Sequence, residues 1–452
     1  MKRLFLLVLL ISGVSVSAQD PVEAELAEKL QFTLDSAVTK MKLIGVSVNM
    51  IMPDGKVWNA TSGYADPYAP GNFEPDQLFW SASMGKMFTG GIIFQLAEEG
   101  KLSLEDKIGM YFNDIPYIDT NITLRELIKH RSGIAEVLSP ASTAQWYNNP
   151  DKVWTGREVL ETYLKPKSFA HGTNFEYSNS NFILLAMVIE KITGNTMAHE
   201  LNTRFFTPLG MQRSYYLPEN QPTEPIVPCW ADFNQDGVWD DQANFIHSTC
   251  FASMVSGAGA ILSQPCEFSK YTRALYGGEL VNDSTLDQIK QCTNVAMGPY
   301  CNGYGMATMR YSFSGKSYYG HGGDISGFTN LSIHQPETNL TLTLMINQDR
   351  QNRALLALVL LRKINQITTG IEDYQETNFQ LVKNPVDQEL ELILDEEKPT
   401  PAEIRSVAGQ LIKRIELQTG QNRIDVSYLN TGVYQLLLNT EMGLVSRRFV
   451  KQ

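Results

Sequence analysis

Two stretches with the alternation of β-strands bracket most of this chain, and the residues between them are spaced mainly like helices. "LIGVSVNMIMPDGKVWNATSGYAD" (43–66) reads as two strands around a Pro-Asp-Gly turn. "NLSIHQPETNLTLTLMINQD" (330–349) reads as a second hairpin. Between them lie "GGIIFQLAEEG", "TLRELIKH" and "NFILLAMVIEKITG", with helical periodicity. An amphipathic run, "NRALLALVLLRKINQI", follows the second hairpin. Strands at both ends of such a segment can pair into one sheet with helices packed on it. The expected fold class is α/β, in the α+β sense.

Near residue 370 the pattern changes. "TTGIEDYQETN" is polar and reads as a linker, and beyond it come short alternating segments, "QELELIL", "AEIRSV", "NRIDVSYL", "GVYQLLL" and "LVSRRFVKQ". Turn residues separate them at regular intervals, the pattern of a small β-sandwich. At the other end, Lys2 and Arg3 precede the short apolar core "LFLLVLLISGV" and the small-residue site Val16-Ser17-Ala18. That is the organisation of a secretory signal peptide. The expected divisions are a signal peptide over 1–18, a main domain over 19–370, a linker over 371–378 and a sandwich over 379–452. No integral membrane span is expected, because "ALLALVLL" (354–361) is short and flanked by charge.

Net charge is −12 and no basic cluster is present, which argues against nucleic acid as a partner. All five cysteines fall between Cys229 and Cys301. In an exported chain this clustering suggests disulfides; Cys229 with Cys250 and Cys292 with Cys301 would close short loops and leave Cys266 over, but spacing does not fix connectivity, and five reduced, buried thiols are the alternative.

The chemistry centres on "WSASMGKMFTG" (80–90), where a lysine stands among apolar residues three positions after a serine. A serine hydroxyl holds its proton at neutral pH and needs an adjacent base. Residues three apart share a helix face, so Ser83 and Lys86 can touch. Burial disfavours an ammonium, so Lys86 is expected to have a lowered pKa and to move protons near neutrality. The N–H beside a serine at a helix start is also available to a developing oxyanion. Read blandly, Ser83 caps a helix and Lys86 snorkels.

Two later elements add to this pair. Tyr177-Ser178-Asn179 lies in a polar loop ahead of an apolar helix. A phenol near a lysine cation loses its proton more readily, which makes Tyr177 a candidate general base, and Asn179 offers both donor and acceptor. In "YYGHGGDISGF" (318–328), His321-Gly322-Gly323 precedes the late hairpin, where glycine lets a ligand approach a strand closely. The N–H of Asp324 would then be a second oxyanion donor.

Together Ser83-x-x-Lys86, Tyr177-x-Asn179 and His321-x-Gly323 resemble, in order, the motifs of the penicillin-recognising serine hydrolases, closest to the class C β-lactamase, D-peptidase and esterase branch. "GKLSLEDKI", "ITLRELIKHRSGI", "PLGMQRS", "GAGAILS", "NGYGMA" and "GHGGDISGF" also resemble the family's connecting signatures, so the likeness runs over roughly 25–365. The resemblance implies an antiparallel sheet flanked by helices, a helical subdomain and a site between them. It implies that Ser83 forms an acyl-enzyme, that Lys86 and Tyr177 move protons, and that the N–H groups of Ser83 and Asp324 hold the oxyanion. Asn179 and His321 would orient substrate and network.

One departure bears on substrate. β-Lactamases and penicillin-binding peptidases usually carry lysine where this chain has His321, so a fixed cation for a substrate carboxylate is missing, and Asp324 adds negative charge nearby. A neutral ester, amide or peptide fits better, with weak or absent β-lactam turnover. The alternatives are a cell-wall D-alanyl-D-alanine carboxypeptidase or class C β-lactamase, or a catalytically silent binding protein on the same fold. Neither a His-Glu-x-x-His metalloprotease motif nor a Gly-x-Ser-x-Gly elbow occurs.

The tail, from "LVKNPVDQELELIL" to "LVSRRFVKQ", resembles the C-terminal sorting domain of type IX secretion substrates in Bacteroidetes. That implies passage through the outer membrane to the surface or medium, with the secretion machinery as a partner and the tail removed. The competing reading is a carbohydrate-binding or stalk sandwich. Finally, "DFNQDGVWDD" spaces Asp232, Asn234, Asp236, Gly237 and Asp240 like a calcium loop, although its twelfth position is Ala243 and not glutamate. A plain Asp-Gly turn is the alternative. No other cofactor is expected.

Overall fold

The structure, a computed structural model, describes residues 20–452 apart from 70, 72, 75, 76, 247, 370–378, 383, 395–398, 407–409 and 441–442. The expected signal peptide and linker lie outside the described residues. The chain divides into two compact units, Met1–Leu361 and Arg362–Gln452.

In the first unit, helix α1 (Ala24–Met41) leads into strands β1 (Gly45–Ile51) and β2 (Val57–Gly63). The apolar helix α2 (Lys86–Glu98) follows, then α3 (Asn179–Thr193) and α4 (Pro265–Tyr276). Six strands come next: β3 (Thr293–Asn294), β4 (Cys301–Tyr304), β5 (Met309–Phe313), β6 (Lys316–Ile325), β7 (Phe328–Gln335) and β8 (Leu340–Ile346). Helix α5 (Arg353–Thr369) follows, its residues from Arg362 onward belonging to the second unit. The sheet order is β2-β1-β8-β7-β6-β5-β4-β3, every neighbouring pair antiparallel. The two hairpins read from the sequence therefore lie side by side as the first four strands of the sheet, with Val48 opposite Leu344.

Polar residues that alternate along β7 and β8 are buried beneath α4. Ser269 donates to Thr343 at 2.8 Å, Ser332 and Thr343 share a hydrogen bond of 2.7 Å, and Thr272 and Ser332 share one of 2.6 Å. Buried hydroxyls paired in this way avoid a desolvation cost of about 1–3 kcal/mol each. Helix α2 is apolar on every side, and Met87, Phe88, Ile92, Ile93 and Leu96 are all inaccessible to solvent. Its two glycines permit close contact: a Cβ on Gly91 would lie 2.4 Å from the Tyr271 hydroxyl, and one on Gly90 2.7 Å from Cβ of Ala307. α2 runs under the sheet and against α3, so its first residue emerges between the sheet and the helical layer.

The second unit contains a three-stranded sheet (Phe379–Leu381, Glu389–Leu394, Gly420–Asp425) and a four-stranded sheet (Leu411–Leu417, Thr400–Ser406, Gly432–Thr440, Gly443–Lys451). Leu390, Leu392, Ile404, Leu436, Leu438 and Phe449 form one apolar core between them. Among the described residues no helix is long and apolar enough to cross a membrane.

The expected disulfides are absent, and all five cysteines are free thiols. The β3–β4 register pairs Thr293 with Tyr304, which sets Cys292 against Gly303 and Gly305 and not against Cys301. Cys229 packs on Gly327 beside the sheet, whereas Cys250 sits in a helix (Thr249–Val255) with its Sγ 3.8 Å from the Met254 sulfur.

Candidate active site

Ser83 lies in a short 3₁₀ turn, Ala82–Gly85, that runs directly into α2, so Lys86 is the helix's first residue. Ala82 holds a left-handed φ of +48°, a conformation that persists only where surrounding contacts enforce it. Those contacts are backbone. A Cβ on Gly323 of β6 would lie 2.3 Å from the Ser81 carbonyl oxygen and 3.2 Å from the Ser83 nitrogen. A Cβ on Gly259 would lie 2.6 Å from the Ala82 carbonyl oxygen. Glycine at 323 is thus what allows β6 to lie against the turn that presents Ser83.

Lys86 is inaccessible to solvent, and its ammonium nitrogen has three partners. Nζ lies 3.0 Å from Ser83 Oγ, 2.6 Å from Asn179 Oδ1 and 2.9 Å from the Ala258 carbonyl oxygen. Burial pulls its pKa down to about 7, and the Glu136 carboxylate opposes that shift. Two of the three partners can only accept. A neutral amine would therefore place its two hydrogens on Asn179 and Ala258 and turn its lone pair toward the Ser83 hydroxyl.

Tyr177 departs from the sequence expectation. Its ring is 5.0 Å from Lys86 Nζ, and its hydroxyl is shut away from solvent beside the Ser83 hydroxyl. Burial drives the phenol's pKa up, and the interaction with Ser83 opposes that shift. Burial thus favours the protonated phenol, whereas it draws Lys86 down toward neutrality.

Asn179, first residue of α3, is held in place by both Lys86 and Glu136. Its Nδ2 and its backbone N–H both donate to Glu136 Oε2, at 2.9 and 2.8 Å. Glu136 was missed in the sequence, where it stands in an unpatterned loop. Arg353 was missed as well. Its guanidinium pairs with the Asp324 carboxylate and occupies the space left by Gly322, where a Cβ would lie 2.5 Å from Nη2. The negative charge expected from Asp324 is therefore partnered.

His321 is fully buried and its pKa falls to about 3, through burial first and the nearby Lys86 second. Its Nδ1 meets the Gly322 carbonyl at 2.5 Å and its Nε2 meets the Tyr304 hydroxyl at 3.2 Å. Ser83 and Asn179 open into a cavity of about 350 Å³, also lined by Leu138, Trp146, Phe251 and Ile325. The Asp232 loop makes a different arrangement from a cation cage. Its carboxylate accepts the N–H groups of Asp236 and Gly237, and Asp240 is in a two-residue strand paired with Ala231. Among the described residues no group of three or more metal-ligating side chains converges.

Residues 33–363 match the beta-lactamase family. The chain belongs to that family. Residues 384–452 match the secretion system C-terminal sorting domain, so this beta-lactamase family member carries a sorting tail. It is similar to penicillin-binding protein 4* of Bacillus subtilis (strain 168), 22% identical over 302 residues, 65% of this chain and 66% of that protein. Protein flp of Staphylococcus aureus (strain MW2) is 23% identical over 341 residues, 71% of this chain and 63% of flp. The chain spans about two thirds or less of the length of these curated relatives. Among solved structures, D-amino acid amidase from Ochrobactrum anthropi SV3, complexed with L-phenylalanine amide, superposes with a TM-score of 0.68. It is 25% identical and covers 76% of this chain and 100% of the amidase. A penicillin-binding protein from Bacillus halodurans shares the fold, with a TM-score of 0.60, 23% identity, and coverage of 74% of this chain and 99% of its own.

Proposed function

We propose that this beta-lactamase family member is an exported serine hydrolase that cleaves an uncharged ester or amide through an acyl-enzyme on Ser83. The carrying observation is the buried Lys86, with two fixed acceptors and its remaining direction on the Ser83 hydroxyl. Lys86 takes the Ser83 proton as Oγ bonds to the substrate carbonyl carbon. The N–H groups of Ser83 and Asp324 receive the oxyanion, with Gly323 holding the strand against the turn. On collapse the carbonyl re-forms, the carbon–leaving-group bond breaks, and the proton passes from Lys86 to the leaving group by way of the Tyr177 hydroxyl. Water then releases the acyl group by the same route.

The cavity supports an apolar acyl group, since Leu138, Trp146, Phe251 and Ile325 line it and its charged lining residue, Asp324, is paired with Arg353. The amidase likeness adds amides of aromatic D-amino acids to the substrates worth testing. The sorting domain supports delivery through a type IX secretion system to the surface or medium, with the tail removed. A fluorophosphonate probe should label the wild type and leave Ser83→Ala unlabelled. Labelling that survives the substitution would end this reading. A screen over short-chain esters, D-amino-acid amides, muropeptides and nitrocefin then sets the substrate class.

A further inference from the structure

Two buried groups outside the proposed proton path, His130 and Tyr304, connect the two halves of the site. His130 follows the helix Leu124–Ile128 and holds a left-handed φ of +53°. Its Nδ1 accepts the Ser178 backbone N–H at 3.1 Å and is 3.1 Å from Asn181 Nδ2. Its ring lies over that of Tyr177, centroids 4.2 Å apart. Its Nε2 is 3.1 Å from the Tyr304 hydroxyl, which reaches His321 Nε2 on the other side at 3.2 Å. His130, Tyr304 and His321 are all buried.

Every hydrogen in this chain has a forced direction. A backbone N–H can only donate, so His130 Nδ1 is bare and the neutral ring carries its hydrogen on Nε2. That hydrogen goes to the Tyr304 oxygen, whose own hydrogen is then free for His321 Nε2. His321 must carry its hydrogen on Nδ1, and the acceptor there is the Gly322 carbonyl, which can only accept. The two fixed ends are the backbone of the Tyr177 loop and the backbone of β6. Protonating His321 at Nε2 would set two donors on the Tyr304 oxygen and leave the phenol hydrogen without an acceptor.

We propose that Tyr304 is a positioning residue that locks His321 as the neutral Nδ1–H tautomer and so ties the Gly322–Asp324 segment to the Tyr177–Asn179 loop. The charged and titratable groups facing His321 agree with a neutral ring: Lys86 and Arg353 both oppose a second positive charge, and Tyr177 and Tyr304 are phenols kept protonated by burial. The tie between the two segments would thus be an uncharged clamp. The inference rests on the hydrolase reading only for its catalytic consequence, since the tautomers are a property of the resting protein.

The test uses the full chain labelled with ring-¹⁵N histidine, which places only six residues under observation. In the wild type, His321 should appear as the Nδ1–H tautomer and His130 as Nε2–H, unchanged from pH 8 to pH 5. Assignment comes from His321→Gln and His130→Gln. In Tyr304→Phe, which keeps the ring and loses the hydroxyl, His321 should keep its hydrogen on Nδ1 toward Gly322, and its bare Nε2 should show the ¹⁵N shift of a nitrogen that has lost its hydrogen-bond donor. Its kcat should fall roughly 10- to 100-fold with KM within about twofold. A wild-type His321 found as Nε2–H, or protonated at pH 6, overturns the proposal whatever the variant does. So does a Tyr304→Phe protein with an unchanged His321 Nε2 shift and unchanged kcat. Loss of probe labelling on the wild-type Ser83 would instead overturn the hydrolase reading and leave the tautomer result standing.

Discussion

The guanidinium of Arg353 fills the space where Gly322 has no side chain and pairs there with the carboxylate of Asp324, two residues along the same strand. This relationship joins the start of α5 to the strand that borders Ser83. Gly322→Ala should therefore lower stability by about 1–3 kcal/mol, because the methyl group overpacks against the partly buried Arg353 guanidinium and displaces it from Asp324. In an Arg353→Ala background the same substitution should cost less than half as much. A double-mutant cycle by denaturant unfolding measures the coupling, and additive effects would contradict the contact.

Lys86 sets the expected pH dependence. As a base it must be neutral, and its pKa is drawn down to about 7 by burial. The neutral fraction grows as pH rises through that value, so kcat/KM should rise tenfold per pH unit below it and level off above. Lys86→Ala should lower kcat by roughly 10²- to 10⁴-fold, the range of positioned acid–base catalysis. A flat profile from pH 5 to 8 would count against Lys86 as the titrating group.

Glu136 accepts two hydrogen bonds from Asn179 and favours the ammonium form of Lys86. Glu136→Gln keeps an acceptor oxygen and removes the charge. Lys86 should then lose its proton at lower pH, moving the acidic limb of the pH–rate profile downward. Movement in the opposite direction would refute this electrostatic link.

Gly323→Ala places a methyl group 2.3 Å from a backbone oxygen, a contact no side-chain rotation can relieve. The strand must withdraw from the nucleophile turn, and kcat should drop by about 10²-fold or more, as when one oxyanion donor is lost. Steady-state kinetics on a purified variant that melts cooperatively checks it. Near-wild-type turnover would remove Gly323 from the proposed site.

With every cysteine unpaired, alkylation after unfolding without reductant should modify all five thiols. Intact mass reads the count directly, and fewer modified sites would restore one of the disulfides read from the cysteine spacing.

Deleting residues 375–452 should leave the protein in the periplasm, because the sorting domain occupies 384–452. Fractionation with immunodetection measures this, and unchanged export would show that another segment directs secretion.

Local order along the chain was enough to expect much of this protein. Alternation in 43–66 and 330–349 identified strands, and both hairpins joined one sheet, although β1, β7 and β8 are buried along their whole length and not on one face alone. Lys86 stood out because an isolated lysine among Trp80, Met84, Met87 and Phe88 has no water to reach. His130 and Tyr304 lay inside quoted signatures, yet their spacing suggested no contact, since 174 residues separate two atoms that share a hydrogen bond. Glu136 stood in an unpatterned loop, and Arg353 lay in an amphipathic run that gave no hint of its partner Asp324. The disulfide expectation failed for the same reason, because proximity in sequence does not fix which way a thiol points. Periodicity and isolated polar residues report what must be buried, and a sequence exposes that directly. Partners, tautomers and the direction of a pKa shift depend on which distant groups close around a buried atom, and only the folded chain decides that.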